Sequence, residues 1–251
     1  MSYYNCYFSP TGGTKKVADA VASGWGEAFT PVDLLRGGEE ITFTAEDICL
    51  VAVPSYGGRV PAPVADHLGK WDGNGARAVL IAVFGNRAID DTLLELSDLL
   101  TAAGFHCIAA MEAVAQHSLM AQFGKGRPDA NDLSQLQGYA QQIRTALEGG
   151  TLPAELHLPG SRPYREYHGV PLKPSVANGC IACGKCAAEC PVGAIPLNNV
   201  RTTDRKKCIS CMHCVAICPK HVRHVSRLMT TVASTKMKKT CSDRKPNQLY
   251  L

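Results

Sequence analysis

The chain has 251 residues, 45% hydrophobic and 6% aromatic, enough for one large domain or two small ones with separate cores. Its net charge of +4 is unevenly spread: residues 1–150 carry 10 Lys+Arg against 17 Asp+Glu, whereas residues 199–251 carry 12 against 2. The longest apolar run, Ala78–Phe84, is too short for a membrane span, the first residues lack secretory-signal features, and no aromatics interleave the basic end as nucleic-acid binding would ask. A cytoplasmic protein with no membrane span and no nucleic-acid partner is expected.

In chain order, Tyr3–Phe8 reads as a strand, and Lys15–Phe29 as a helix with Val17, Ala20, Val21 and Trp25 at helical spacing. Thr30–Asp33 is a short strand. Ile48–Val53 and Ala78–Phe84 are continuous apolar runs, as strands buried on both faces should be. Val64–Leu68, Asp91–Ala103 and Leu133–Leu147 have helical period, the last ending at Gly149. Phe105–Ala110 is a fifth strand. The alternation predicts a doubly wound parallel α/β domain over residues 1–150.

Ligands of such sheets sit beyond the carboxyl ends of the strands. Three loops there carry unusual chemistry. "SPTGGT" offers the hydroxyls of Ser9, Thr11 and Thr14, with Gly12 and Gly13 letting backbone N–H groups close on an anion at a helix start. It holds no lysine, and no G-x-G-x-x-G follows a strand, so one terminal phosphate is expected rather than a triphosphate or dinucleotide; a plain capped helix start is the alternative. "PSYGGRVP" places Ser55, Tyr56 and Gly57 after a buried strand, and "FGNRAIDD" places Phe84, Gly85, Asn86 and Arg87 after the next. An aromatic ring, glycines that admit close backbone approach and an amide suit a flat ring with a phosphate tail. Tyr56 is alternatively a core tyrosine. His117, in "AQHS" after the fifth strand, is a weak candidate for proton transfer and otherwise a structural histidine. Arg127 is expected to pair with an acid, and Cys6, Cys49 and Cys107 to be small core residues.

Residues 151–176 are proline-rich and aperiodic, and read as a stiff linker over the surface. Eight of the twelve cysteines then fall between Cys180 and Cys218. "CIACGKCAAECP" and "CISCMHCVAICP" both follow C-x2-C-x2-C-x3-C-P, the second beginning 28 residues after the first. In a reducing compartment this clustering points to metal rather than disulfides. Zinc would ask for four ligands, usually as two C-x2-C pairs. The motif has the spacing of bacterial two-cluster ferredoxins, over residues 177–225. Each run would supply three ligands to its own [4Fe–4S] cluster and its fourth to the other: Cys180, Cys183, Cys186 and Cys218 for one, Cys208, Cys211, Cys214 and Cys190 for the second. His221 stands where the first repeat has Gly193, and His213, inside "CMHC", is expected to be an exposed loop residue. Residues 226–251 form a basic C-terminal tail, for which the last residues, Leu249, Tyr250 and Leu251, offer an apolar anchor against the acidic front domain.

The front stretch resembles the flavodoxin family: Ser9, Thr11, Gly12 and Thr14 match its phosphate loop, Gly13 replacing the usual Asn, and Phe84–Arg87 are similar to a flavin loop of flavodoxin-like reductases. The resemblance implies FMN and a five-stranded sheet of order 2-1-3-4-5. Over nearly its whole length the chain resembles flavodoxin–ferredoxin fusion proteins, with a small α+β two-cluster domain at the back. That implies electron transfer between one-electron carriers and FMN, with a ferredoxin or flavoenzyme as partner. The alternatives are an FMN-dependent reductase of a small organic acceptor (an enone, quinone or nitro compound) and a redox-sensing binding module.

Overall fold

The structure, a computed structural model, describes residues 1–37 and 41–251. Strands β1 (Tyr3–Tyr7), β2 (Thr30–Asp33), β3 (Ile48–Pro54), β4 (Arg77–Phe84) and β5 (His106–Val114) form a parallel sheet of order 2-1-3-4-5. Side chains of successive strand residues point to opposite faces, and both faces here are covered. Cys49, Val51, Val53, Leu80 and Ala82 face one layer, built by α2 (Ala62–Leu68) and α3 (Thr92–Ala102). Leu50, Ala52, Val79 and Ile81 face the other, built by α1 (Gly13–Trp25) and α4 (Ala130–Glu148). This is why the central runs are apolar at every position. α1 and α4 cross closely: a Cβ on Gly24 would stand 2.5 Å from the Gln137 backbone.

The proline-rich segment is pinned to α3. Asp91 accepts hydrogen bonds from the N–H groups of Ser161 (2.9 Å) and Arg165 (2.7 Å), and Arg162 pairs with Asp98 at 2.5 Å. Next comes a small module in which β6 (Ser175–Val176) pairs antiparallel with β7 (Arg223–His224), between four-residue helices α5 (Lys185–Ala188) and α6 (His213–Ala216). The 28-residue repeat is written in the backbone. Ala182 and Ser210 have φ of 53° and 57°, Gly184 and Met212 77° and 64°, Gly193 and His221 58° and 51°. His221 therefore adopts the left-handed backbone that glycine provides in the first repeat, a conformation costing an L-residue about 1–2 kcal/mol.

The last segment is structured rather than a tail. α7 (Arg227–Cys241) is followed by β8 (Gln248–Tyr250), which joins β5 antiparallel as a sixth strand, with Tyr250 opposite Ala110 and Leu249 opposite Met111. The expected anchoring of the chain end on the front domain takes this form. The Tyr250 hydroxyl donates to Glu112 (3.1 Å), and the Val114 N–H donates to Asn247 Oδ1 (2.9 Å). Arg127 and Asp132, 5% and 2% exposed at their side chains, form the expected ion pair, and Arg127 also donates to the Lys245 carbonyl (2.6 Å). Thus the chain leaves the sheet after α4, builds the cysteine module and returns to the same sheet.

Candidate functional site

A cleft of about 590 Å³ opens at the carboxyl ends of β1, β3, β4 and β5. Its size lies within the range of about 300–1,000 Å³ usual for ligand sites. Pro10, Thr11, Gly13 and Thr14 form one wall; Ser55, Tyr56 and Gly57 a second; Phe84, Gly85 and Arg87 a third; Ala115–Met120 a fourth. The start of α1 faces the cleft. Gly12 precedes the helix at φ 89° and makes no side-chain cap, and the N–H groups of Gly13 and Thr14 meet no acceptor among the described residues. Free N–H groups at a helix start, with the Thr11 and Thr14 hydroxyls beside them, suit a phosphate. A side chain at Gly13 would press on Ala115 at 3.2 Å, so glycine keeps this approach open.

Three residues expected at the cofactor, Ser9, Asn86 and Gly12, lie outside the cleft lining. Ser9 does not line the cleft; its oxygen accepts the Lys15 N–H (2.8 Å) and so shapes the first turn of α1. Asn86 is buried and turned away. Its amide donates to the carbonyls of Cys241 (2.6 Å) and Asp243 (2.8 Å), and its oxygen accepts the Lys245 N–H (3.2 Å), so it ties β4 to the end of α7. Gly12 also stays outside the lining and serves as the left-handed helix start.

His117 lines the cleft with its ring over Gly85, where a Cβ would come within 2.8 Å of it. Burial, and second the Arg87 guanidinium, lower its pKa to about 4, so the ring is neutral at neutral pH. Its Nδ1 accepts the N–H groups of Leu119 (3.2 Å) and Met120 (3.4 Å), which leaves the proton on Nε2. Burial, then Cys211 and Tyr167 nearby, push the Tyr56 hydroxyl well above its ordinary value.

Parts of the wall come from segments to which no such role was assigned. Tyr167 of the proline-rich segment lies over Gly57, where a Cβ would meet its ring at 2.2 Å. Leu228, Met229, Val232, Ala233, Lys236 and Met237 of α7 close one side. Their three-and-four spacing is the helical signal that the expectation of a basic tail passed over. From the cysteine module come Ile209 and Ser210, between Cys208 and Cys211. His213, expected to be exposed, is 7% exposed and bridges the domains: its Nδ1–H donates to the Pro10 carbonyl (2.8 Å), and Nε2 stands 3.2 Å from Glu189 Oε2.

The eight cysteines fall into two groups of four. Cys190, Cys208, Cys211 and Cys214 line one space; Cys180, Cys183, Cys186 and Cys218 line the other. Among the described residues no three His, Cys, Asp or Glu side chains close on a single metal ion. N–H groups aim at the sulfurs. Ala194 donates to Cys190 (3.3 Å) and Ser210 to Cys208 (3.5 Å). Burial raises the Cys218 thiol, but N–H groups of Val222, Lys220, Arg223 and His221 bring it below its ordinary value. Such donors stabilise thiolates and tune the potential of whatever they hold. Of the eight, Cys211 is buried beside Tyr56 and Cys183 is exposed.

Residues 179–223 match the family of 4Fe-4S dicluster domains. Among solved structures, a flavodoxin of Streptococcus pneumonia TIGR4 is 18% identical, covering 58% of this chain and 99% of that one at a TM-score of 0.41. The rubredoxin oxygen:oxidoreductase of Desulfovibrio gigas is 19% identical over 59% of this chain and 36% of that one, TM-score 0.44. A flavodoxin, WrbA-like protein from Agrobacterium tumefaciens is 16% identical over 59% and 98%, TM-score 0.40. No curated protein matches the sequence. Among the described residues no helix is long and apolar enough to cross a membrane. The parallel order 2-1-3-4-5 is a flavodoxin-like α/β fold over the front of the chain, and the segment behind it, residues 179–223, is similar to 4Fe–4S dicluster domains.

Proposed function

We propose that the chain carries electrons between a redox partner and FMN bound in the cleft, by way of two [4Fe–4S] clusters. One observation carries this reading: Ile209 and Ser210, flanked by Cys208 and Cys211, wall the same cleft as the strand-end loops. The phosphate would rest on the N–H groups of Gly13 and Thr14 and the hydroxyls of Thr11 and Thr14. Ser55, Tyr56, Gly57, Phe84, Gly85 and Arg87 would surround the ring, with Tyr167 packed on Gly57. Cys190, Cys208, Cys211 and Cys214 would hold the cluster nearer the cleft, and Cys180, Cys183, Cys186 and Cys218 the farther one. FMN takes up one or two electrons and each cluster one, so the pair joins one- and two-electron chemistry. The His213–Pro10 hydrogen bond then fixes the distance between the phosphate loop and the near cluster. His117 offers an Nε2–H to whatever lies in the cleft.

A second reading, reduction of a small organic acceptor over the flavin, is favoured by the α7 and Tyr167 side chains that cover the cleft. Protein purified without oxygen should contain about eight iron and eight acid-labile sulfide per chain, with one flavin. Thr11→Val should weaken FMN binding by the loss of one charge-assisted hydrogen bond, about 1.5–3 kcal/mol. Thr11→Glu should expel the cofactor, and unchanged flavin content in both variants would remove the phosphate assignment.

A further inference from the structure

We infer that the face of the dicluster domain around Cys183 is a port for a small acidic one-electron carrier protein. This rests on the electron-transfer reading above and names where electrons enter or leave. The two cysteine groups differ in one member each: three of the four are half-buried in both, but the fourth of the group nearer the cleft, Cys211, is buried. The other reaches the surface through Cys183, its exposed member. A protein carrier can approach the second group through Cys183, whereas the cleft is walled on one side by α7 and Tyr167.

The surface there has the anatomy of a docking patch, an apolar centre with a charged rim. Ile181 beside Cys183 is 58% exposed. Leu197, 73% exposed, begins the short turn leading to Val200, which lines the same site. The rim has one sign. Lys185 and Lys220 line the site, and Arg201 reaches the Cys180 carbonyl (3.2 Å). None of the described residues lining the site is acidic. The partner that fits is anionic with an apolar spot at its own redox centre. In the exchange the carrier loses one electron and the chain gains one, or the reverse, and no bond or proton changes hands.

The experiment uses the full holoprotein and, as probe, a small acidic bacterial ferredoxin. Stopped-flow kinetics at low ionic strength give the second-order rate of electron exchange, and calorimetry with both proteins oxidised gives their affinity. Lys185→Glu/Lys220→Glu should lower the rate tenfold or more and weaken binding in parallel, because rim charges act through steering. The difference should close at about 0.5 M salt, where the screening length falls below about 5 Å. Iron and flavin content should be unchanged. If the Glu pair loses iron, Lys185→Gln/Lys220→Gln reads the same port through a smaller fall in rate. Three results overturn the port: a loaded variant with unchanged rate and affinity, an equal loss from Lys238→Glu/Lys239→Glu on α7, or a dimer of the chain that the port variant dissolves. Wild-type protein that holds no iron or flavin would instead remove the electron-transfer reading itself.

Discussion

Asp132 is the knot that fastens the chain end to the front domain. Its carboxylate accepts from Arg127 Nε (2.8 Å) and a terminal guanidinium nitrogen (2.5 Å), from the Asp129 N–H (2.9 Å), and from Arg244 and Asn247 (both 3.1 Å). Asp132→Asn keeps the shape and removes the charge. Arg127, equally buried, is then left without a counter-ion. Breaking one side of a buried pair costs about 3–5 kcal/mol. At about 1.36 kcal/mol per factor of ten, opening of the clasp becomes at least about a hundredfold more frequent. Hydrogen exchange read by mass spectrometry on a peptide covering 242–251 measures this directly, with β4 in the centre of the sheet as the unaffected control. The sign with pH is fixed too. Burial alone would raise the Asp132 carboxyl, but the hydrogen bond from Arg127 holds it below the usual carboxylate range. Its stabilisation is therefore complete above about pH 3.9 and is lost as pH falls through the folded value. The Asn variant should show no such acid loss. A change under tenfold, or an unaltered acid response, would refute the clasp.

Cys190→Ser should cost the cluster shared with Cys208, Cys211 and Cys214, leaving about four iron per chain, whereas uncrossed ligation would take the first repeat's cluster instead; electron paramagnetic resonance of Cys190→Ser beside Cys218→Ser separates them. His221→Gly should raise stability to denaturant by about 0.5–1 kcal/mol, since relief of left-handed strain exceeds the added freedom of the unfolded chain; a loss would show that the His221 side chain contributes contacts of its own. His117 has a folded pKa below its unfolded value, so protonation opposes folding as pH falls from about 6.5 towards 4. His117→Gln should flatten thermal stability across that window, and an unchanged slope would assign the titration to other groups.

The sheet was legible because strands buried on both faces must be apolar throughout, as Ile48–Val53 and Ala78–Phe84 are. The cysteine module was legible because ligand spacing is itself the fold's constraint. The cleft loops were legible as loops, but not the direction of each side chain. Asn86 has the same amide whether it meets a ring or a carbonyl, and the carbonyls it meets belong to residues 241 and 243. β8 is three residues long, too short for any period, and is fixed by pairing with β5 over a separation of more than 130 residues. His213 was misplaced for a similar reason, since its burial depends on Pro10, 203 positions earlier.

Because β8 returns to the sheet that α4 left, the dicluster domain is held by two covalent leashes rather than one. A domain on a single linker meets its partner at an effective concentration set by linker length. Here both ends of residues 151–247 are fixed on the front domain, one through Asp91 just before α3 and Asp98 within it, the other through Arg127, Asp132 and Asn247. Swinging the domain away would require releasing both sets at once. The cysteine groups are thus confined near the cleft as a loop is confined by its closure, much of the entropy cost of bringing them together having been met when the sheet folds.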